Sequence, residues 1–321
     1  MLRMLACAVV LLLAPASFAQ TPDAWPSRPI RVIVPFAPGG VTDTIARLWA
    51  QRMSQALGQQ LFVENHGGGA SNVGTELAAH QLGDGYTILV AASSFAVNPS
   101  LYAKVPYDPL GDFTPVTLLA QTPGVVIVNP ELPAKTIREL IDLVRANPGK
   151  YSYGMSGIGT PNHLQGELLK LAYKLDLTTV PFAGGAPAIQ STIAGHTPIA
   201  FVALTSVPAL VAGGQLRALA VSGTHRSAVL PDVPTMAEAG ISGHEADTFT
   251  GLFMPAGTPR EIVDRIYAET VKVLAIPEFK EHLAKLGAEP DPVSPEQFAA
   301  RLKDEIALWG RVIADAHIEK Q

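Results

Sequence analysis

Cysteine is all but missing from this 321-residue chain; the only one is Cys7. Its position matters more than its rarity. Met1 to Gln20 reads as a secretory signal peptide, with Arg3 as the positive start, Leu5 to Ala14 as the apolar run and Ser17-Phe18-Ala19 as a small-x-small cleavage site. Cleavage after Ala19 leaves 302 residues carrying 22 Lys and Arg against 28 Asp and Glu, and no cysteine. A disulfide framework, a thiolate nucleophile and a Cys-ligated metal are therefore excluded from the mature chain. Met4-Leu5-Ala6-Cys7 loosely matches a lipobox, but no hydrophobic run precedes it. No later apolar run reaches the ~20 residues that span a bilayer. An excess of basic residues is also lacking, which argues against nucleic acid as a partner.

What is abundant is punctuation. The 28 Gly and 27 Pro sit mostly singly at the ends of apolar segments. Ile30 to Pro35, Leu61 to Glu64 and Tyr86 to Ala92 read as buried strands. A helix over Thr42 to Leu57 stops at Gly58, and another covers Asn72 to Gln81. After an irregular, Pro-marked stretch over Tyr102 to Phe113, further strands are expected at Thr114 to Leu119, Gly124 to Asn129, Tyr151 to Met155, Thr178 to Phe182, Ile199 to Leu204 and Leu216 to Val221. Between them lie helices over Ile137 to Asn147, Pro161 to Leu175, Pro187 to Ala194 and around Val207 to Ala212. Thr136 with Glu139 forms a capping box, and Thr160 caps a helix that opens on Pro161. From Pro255 onward the chain is mostly helical: Arg260 to Ala275, Pro277 to Leu286 and Pro295 to Ala316. Repeated strand–loop–helix units predict α/β architecture with parallel sheets. At ~150 residues per domain the length fits two lobes.

Glycine marks the strand-to-helix turn at Gly39-Gly40, Gly157 to Gly159 and Gly184-Gly185. Ligands of open α/β sheets bind at the carboxyl ends of strands, where each helix start offers unpaired N–H groups and about half a positive charge. Three such turns around one cleft would hold an anion without Lys or Arg, and none of the three contains a basic residue. The same glycines also serve any tight strand-to-helix turn.

Enzyme motifs fail in detail. Gly154-Met155-Ser156-Gly157 begins like a nucleophile elbow, but Ile158 stands where the closing glycine is required, and His163 is too near in sequence to serve as its base. The dinucleotide fingerprint is missing after Gly39-Gly40, and Asp43 would repel a pyrophosphate there. No Gly-Lys-Ser/Thr occurs, and the eight histidines include no His-x-x-x-His pair. Neither a cofactor nor a metal is expected.

An ordered series of short motifs resembles one family. It runs from Trp25-Pro26-Ser27-Arg28-Pro29-Ile30 and Val34-Pro35-Phe36-Ala37-Pro38-Gly39-Gly40-Val41-Thr42-Asp43 through Val63-Glu64-Asn65, Asp84-Gly85-Tyr86-Thr87, Asn98-Pro99-Ser100-Leu101-Tyr102 and Pro106-Tyr107-Asp108-Pro109. It ends with Leu216 to Val221, Leu230-Pro231-Asp232-Val233-Pro234-Thr235 and Pro255-Ala256-Gly257-Thr258-Pro259. This series is similar to Bug-type extracytoplasmic solute-binding receptors of the tripartite tricarboxylate transporter family, over essentially the whole mature chain. The resemblance implies a type II periplasmic binding-protein fold: two α/β lobes joined by two crossing strands, with residues 20–122 and 248–321 in one lobe and 123–247 in the other. It implies a periplasmic monomer that closes on a small carboxylate, held by backbone groups and waters, and delivers it to a membrane permease with a large and a small subunit. A sensor that docks on a signalling ectodomain is the alternative, and a secreted serine hydrolase a weaker one.

Carried over by position, the first-lobe loop comprises Phe36, Ala37, Gly39, Gly40 and Asp43, with Ser93 and Ser94 beside it. The second lobe supplies Ser156, Gly157, Gly159, Thr160 and His163, then Phe182, Gly184 and Gly185. Asp247, Thr248 and Phe249 fall where the chain returns across the cleft. Three departures stand out: Ala183 replaces the usual Lys or Arg, Val202-Ala203 replaces a frequent Asp-Asn, and Thr160 stands where Ser is common. A less polar second-lobe wall suggests a ligand with a carboxylate at one end and an apolar or aromatic remainder.

Overall fold

The computed structural model describes residues 25–241 and 247–321. The expected leader, residues 1–19 with Cys7, lies outside the described residues. Among the described residues ten strands and ten α-helices follow in order: β1 (Ile30–Val34), α1 (Val41–Leu57), β2 (Leu61–Asn65), α2 (Asn72–Ala79), β3 (Thr87–Ala92), α3 (Ser94–Leu101), β4 (Phe113–Thr122), β5 (Gly124–Val128), α4 (Ile137–Arg145), β6 (Ser152–Met155), α5 (Pro161–Tyr173), β7 (Thr178–Pro181), α6 (Gly185–Ile193), β8 (Ile199–Ala203), α7 (Pro208–Ala212), β9 (Arg217–Val221), β10 (Thr248–Pro255), α8 (Arg260–Ala275), α9 (Pro277–Lys285) and α10 (Pro295–Asp315). They build two five-stranded sheets, ordered β2-β1-β3-β10-β4 and β7-β6-β8-β5-β9. The architecture is two α/β lobes.

The sheets are mixed, where the strand–helix alternation predicts parallel ones. In the first, β1 pairs in parallel with β2 and β3, while β10 runs antiparallel between β3 and β4. In the second, β6 is parallel to β7 and β8, while β5 runs antiparallel between β8 and β9. The two reversed strands are the ones that have just crossed from the other lobe. β4 ends at the cleft, so β5 enters the second lobe from its cleft side, against strands that end there. β10 enters the first lobe in the same way.

Both faces of each sheet carry a core, which makes the central strands continuous apolar runs instead of alternating ones. Ile30, Val32 and Val34 face one core with Trp49 and Ile266, whereas Ile33 faces the other with Phe95 and Phe253. The indole of Trp49 donates to Thr270 Oγ1 at 3.1 Å and so pins α1 to α8. In the second lobe Val126 and Val128 point to one side and Val125 and Ile127 to the other.

One helix has no counterpart in the sequence pattern. α3 contains Pro99 and no apolar stripe, because it is enclosed on several sides. Phe95 stacks on Phe253 at 4.3 Å and meets Phe113 edge-on at 5.2 Å. α10 packs on α3, and Leu164 of α5, a second-lobe residue, enters the same cluster beside Leu302 and Trp309. The lobes therefore touch along α3, α10 and α5. Thr136 accepts from the Glu139 N–H as expected, but the Glu139 carboxylate receives the Lys135 N–H, so the box is half made. Among the described residues no helix is long and apolar enough to cross a membrane.

Candidate functional site

The first-lobe loop follows β1. Gly39 lies in the left-handed region (φ 84°) and donates its N–H to the Asp43 carboxylate at 2.8 Å. The same carboxylate receives Arg47 at 3.1 Å and the Asn65 amide at 2.8 Å, and that amide also donates to the Phe36 carbonyl. Asp43 is only 2% exposed. Burial pushes its pKa up, but the bonds from Arg47, Gly39 and Asn65 outweigh it and leave the group below the usual carboxylate range. Its oxygens are spent on shaping the loop. Ala37, Gly39 and Gly40 stay exposed, and Phe36 is half-buried against the core. The N-cap, Gly40, has no side-chain acceptor, so the first N–H groups of α1 remain open to an anion.

Ser93 closes β3. Its hydroxyl receives the Phe249 N–H at 2.8 Å and lies 3.5 Å from the Asp247 carbonyl. Ser94 exchanges a hydroxyl bond of 2.9 Å with Ser71. Phe249 itself is 1% exposed and turns edge-on to Phe298 at 5.8 Å. Ser93 and Phe249 thus tie β3 to the returning strand, with the Phe249 ring in the core, while Thr248 and Ser94 are half-buried.

The second-lobe loop follows β6. Gly157 (φ 100°) and Gly159 (φ 76°) are left-handed. The Thr160 hydroxyl bonds to the Gly157 carbonyl at 2.9 Å and receives the His163 N–H at 3.3 Å. Gly159 donates its N–H to His163 Nδ1 at 3.0 Å. An N–H pointing at Nδ1 requires a lone pair there, so the ring is the Nε2–H tautomer. Burial holds the His163 pKa below the ordinary histidine value; the nearby Glu167 opposes that effect and Lys170 adds to it. Glu167 is itself buried, and receives Tyr153 Oη at 2.7 Å, Thr179 Oγ1 at 2.6 Å and Lys170 Nζ at 2.9 Å. Phe182 lies against Gly154, where a Cβ would stand 3.0 Å from its ring. Gly184 caps α6 without a side-chain acceptor, and Gly185 has open space around it.

The joint between the lobes is polar. The Gly124 N–H donates to Ser222 Oγ at 2.7 Å, and Ser222 Oγ donates to Asp247 Oδ1 at 2.5 Å. One carboxyl group therefore links the segment after β9 to the segment before β10, with β5 attached through Ser222. Burial raises the Asp247 pKa to about 6; Ser222 and Arg301 work against that shift and Glu289 and Glu305 with it.

The structure places the predicted loops at the carboxyl ends of β1, β3, β6 and β7. Among the described residues the basic side chains beside them are engaged: Arg47 is bound to Asp43 and Asn65, and Lys170 to Glu167 and Thr179. Ser156 has the Asn162 amide as a neighbour at 3.5 Å, and His163 Nδ1 is occupied by Gly159, so these two residues do not form a serine–histidine pair. Among the described residues no group of three metal-ligating side chains occurs. Sequence reasoning missed Asn65, Glu167 and Ser222. The shared four-residue spacing of Gly39 to Asp43 and Gly159 to His163 was the available signal for how the two loops are braced.

Comparison with known proteins shows the family. Residues 45–318 match the family model TctC, described as the tripartite tricarboxylate transporter family receptor. A Pseudomonas sp. (strain P51) protein, "UPF0065 protein in tcbD-tcbE intergenic region", is 38% identical over 98% of this chain and 94% of its own. Protein BugT of Bordetella pertussis is 34% identical over 91% and 90%. Among solved structures, a periplasmic transporter is 42% identical, with a TM-score of 0.72, over 92% of this chain and 99% of its own. R. palustris Rpa4515, solved with adipate, is 34% identical with a TM-score of 0.72 over 92% and 100%. MatC from Rhodopseudomonas palustris, solved with malate, is 32% identical with a TM-score of 0.68 over 90% and 100%. This chain belongs to the tripartite tricarboxylate transporter receptor family, whose members are solute-binding proteins and not enzymes.

Proposed function

We propose that the protein works in the periplasm, captures a small carboxylate with an apolar or aromatic remainder between its glycine loops, those after β1, β6 and β7, and presents it to a tripartite tricarboxylate permease with a large and a small subunit. The observation that carries this reading is the pair of helix starts, α1 and α6, at the carboxyl ends of β1 and β7, without side-chain caps, while among the described residues the nearby Arg47 and Lys170 are bound elsewhere. Backbone N–H groups and helix dipoles supply the positive potential, and bridging water is nearly as good a partner as a direct bond. Adipate and malate in two relatives are compatible carboxylates. Ala183, Val202 and Ala203 offer no charge on the second-lobe side, which favours an apolar ligand body. The leader expected over residues 1–19 supports the compartment. Hinge closure at the Gly124–Ser222–Asp247 joint would shift an open–closed equilibrium that the permease reads.

A calorimetric screen tests the ligand class. Benzoate, hexanoate and adipate should bind more tightly than citrate or aspartate; the reverse order would overturn it. Gly40→Asp tests the site. Gly40 has an ordinary φ of −72° and a Cβ there would find only Ala37 O, at 3.7 Å, so the variant should fold. A carboxylate placed at the start of α1 should abolish ligand binding and uptake, and unchanged binding would remove the first loop from the site.

A further inference from the structure

The two loops are braced by the same device with different chemistry. In each, a left-handed glycine sits just before the helix N-cap and donates its N–H to the side chain four residues on, at the third helical position. In the first lobe the acceptor is a carboxylate; in the second it is an imidazole nitrogen. A carboxylate keeps its lone pairs throughout the neutral range, whereas Nδ1 loses its only one when a proton arrives. A protonated Nδ1 would aim a donor at the Gly159 donor.

The bond also fixes a contact between lobes. Gly159 lies against Leu101 at the end of α3, so closely that a Cβ would collide with the leucine side chain. Leu101 is buried in the core cluster that Leu164 of α5 enters. The His163–Gly159 bond therefore sets both the cleft loop and its seat on the first lobe.

We propose that His163 is the positioning residue of the second-lobe loop, competent only as the neutral Nε2–H tautomer, so that a proton on Nδ1 and a ligand in the cleft exclude one another. This rests on the cleft reading given above. The groups facing His163 fit the role. On its own helix, Glu167 Oε1 lies 3.7 Å from Nε2, where the tautomer carries its hydrogen, and Lys170 neutralises that carboxylate at 2.9 Å. From β6 the Tyr153 hydroxyl, and from β7 the Thr179 hydroxyl, engage Glu167. His317 and Glu319, beyond α10, line the same cavity of about 380 Å³. Glu167, held by three donors, thus steadies the ring without taking its proton. Below the folded pKa of His163, which lies under 6.5, one proton must leave before the ligand-competent loop forms. Affinity should then fall up to tenfold per pH unit.

The test uses the full protein with adipate as probe. Calorimetric Kd values are measured from pH 8 to pH 5.5 for the wild type and for His163→Gln, so that the titration of adipate itself cancels in their ratio. Nitrogen NMR of ring-labelled histidine is recorded on the wild type over the same range. The expected result is that the variant binds several-fold more weakly at pH 8 and lacks the wild type's additional acid-dependent loss. Nδ1 of His163 should be unprotonated at neutral pH, and the Gly159 amide should follow its titration. Equal pH dependence in both proteins, or a protonated Nδ1 at pH 7.5, would overturn the proposal while leaving the cleft reading intact. Failure of adipate to bind at any pH, with the expected His163 tautomer and Gly159 coupling present, would support the loop positioning and count against adipate as a ligand of the cleft. If His163→Gln fails to fold, the tautomer and the Gly159 amide titration decide alone.

Discussion

The loop after β1 and the loop after β6 occupy equivalent places in their lobes and differ in how much they tolerate. The first is braced by Asp43, which Arg47, Asn65 and the Gly39 N–H hold ionised. Around its glycine there is space: a Cβ on Gly39 would have no neighbour within 4 Å. The second is braced by a neutral, buried histidine, and its glycine is wedged against Leu101 of the opposite lobe. The first loop is thus rigid through charge and free on its outer side. The second is rigid through a titratable nitrogen and doubles as a lobe contact. In a two-lobed receptor, this difference assigns sensitivity to packing and to acid to the second lobe.

The largest separation should come from alanine at the two glycines. Both are left-handed, which costs an L-residue about 1–2 kcal/mol. Gly159→Ala adds overpacking against Leu101, so its total should reach about 2–5 kcal/mol. Gly39→Ala should stay at about 1–2 kcal/mol. Denaturant unfolding of the two variants reads the difference directly, and equal costs would erase the contrast.

The joint between the lobes should respond to pH in the opposite sense to the second loop. Asp247 has its pKa raised from 3.8 to about 6 in the folded state. Its contribution to stability is fully present below pH 3.8 and is lost as pH rises through 6. The difference of about two units corresponds to at most about 3 kcal/mol. Asp247→Asn should therefore gain stability relative to wild type between pH 5 and pH 8; a constant gap across that range would show that the carboxyl is not held protonated.

Removing the acceptors should cost less, and unequally. Asp43→Ala takes one acceptor from three donors, each of which keeps water or a second partner, and should destabilise by about 1 kcal/mol, whereas His163→Ala leaves the buried Gly159 N–H unsatisfied and should cost about 1–3 kcal/mol. The smallest effect is visible only by amide exchange. Because the His163 pKa is lowered in the folded state, its contribution is present above the unfolded value of 6.5 and declines as pH falls through the folded value. Asp43, also lowered, keeps its contribution until stronger acid, being lost only as pH falls through a value below 3.8. After correction for intrinsic exchange, the Gly159 amide should lose protection in mild acid while the Gly39 amide retains it. Parallel loss at both glycines would remove the distinction.

Much of this arrangement could be read before folding. Strands at β1, β3, β5 and β8 announce themselves as apolar runs, and Gly58, Thr160 and Pro161 mark helix ends by their own stereochemistry. The direction of β5 could not be read, because an apolar run looks the same in either direction and only the crossings decide it, and β10 (Thr248–Pro255) was not read as a strand from its residues at all. α3 was hidden because Pro99 and burial on several sides, with Asn98 turned inward onto Ala70 and Asn72, erase the helical period. The cleft loops were legible as glycine turns. Their bracing was not: Glu167 reads as a solvent-facing helical acid until Tyr153, Thr179 and Lys170 are placed around it, and Ser222 is an unremarkable serine until Gly124 and Asp247 converge on it. Residues whose partners lie far along the chain carry no local signature.

The most direct test of the account is a high-resolution structure of the protein with bound adipate. The carboxylate oxygens are expected on backbone N–H groups at the starts of α1 and α6, directly or through water, with no basic side chain in contact. An adipate carboxylate seated on Arg47 or Lys170, or in the cavity between His163 and His317, would contradict it.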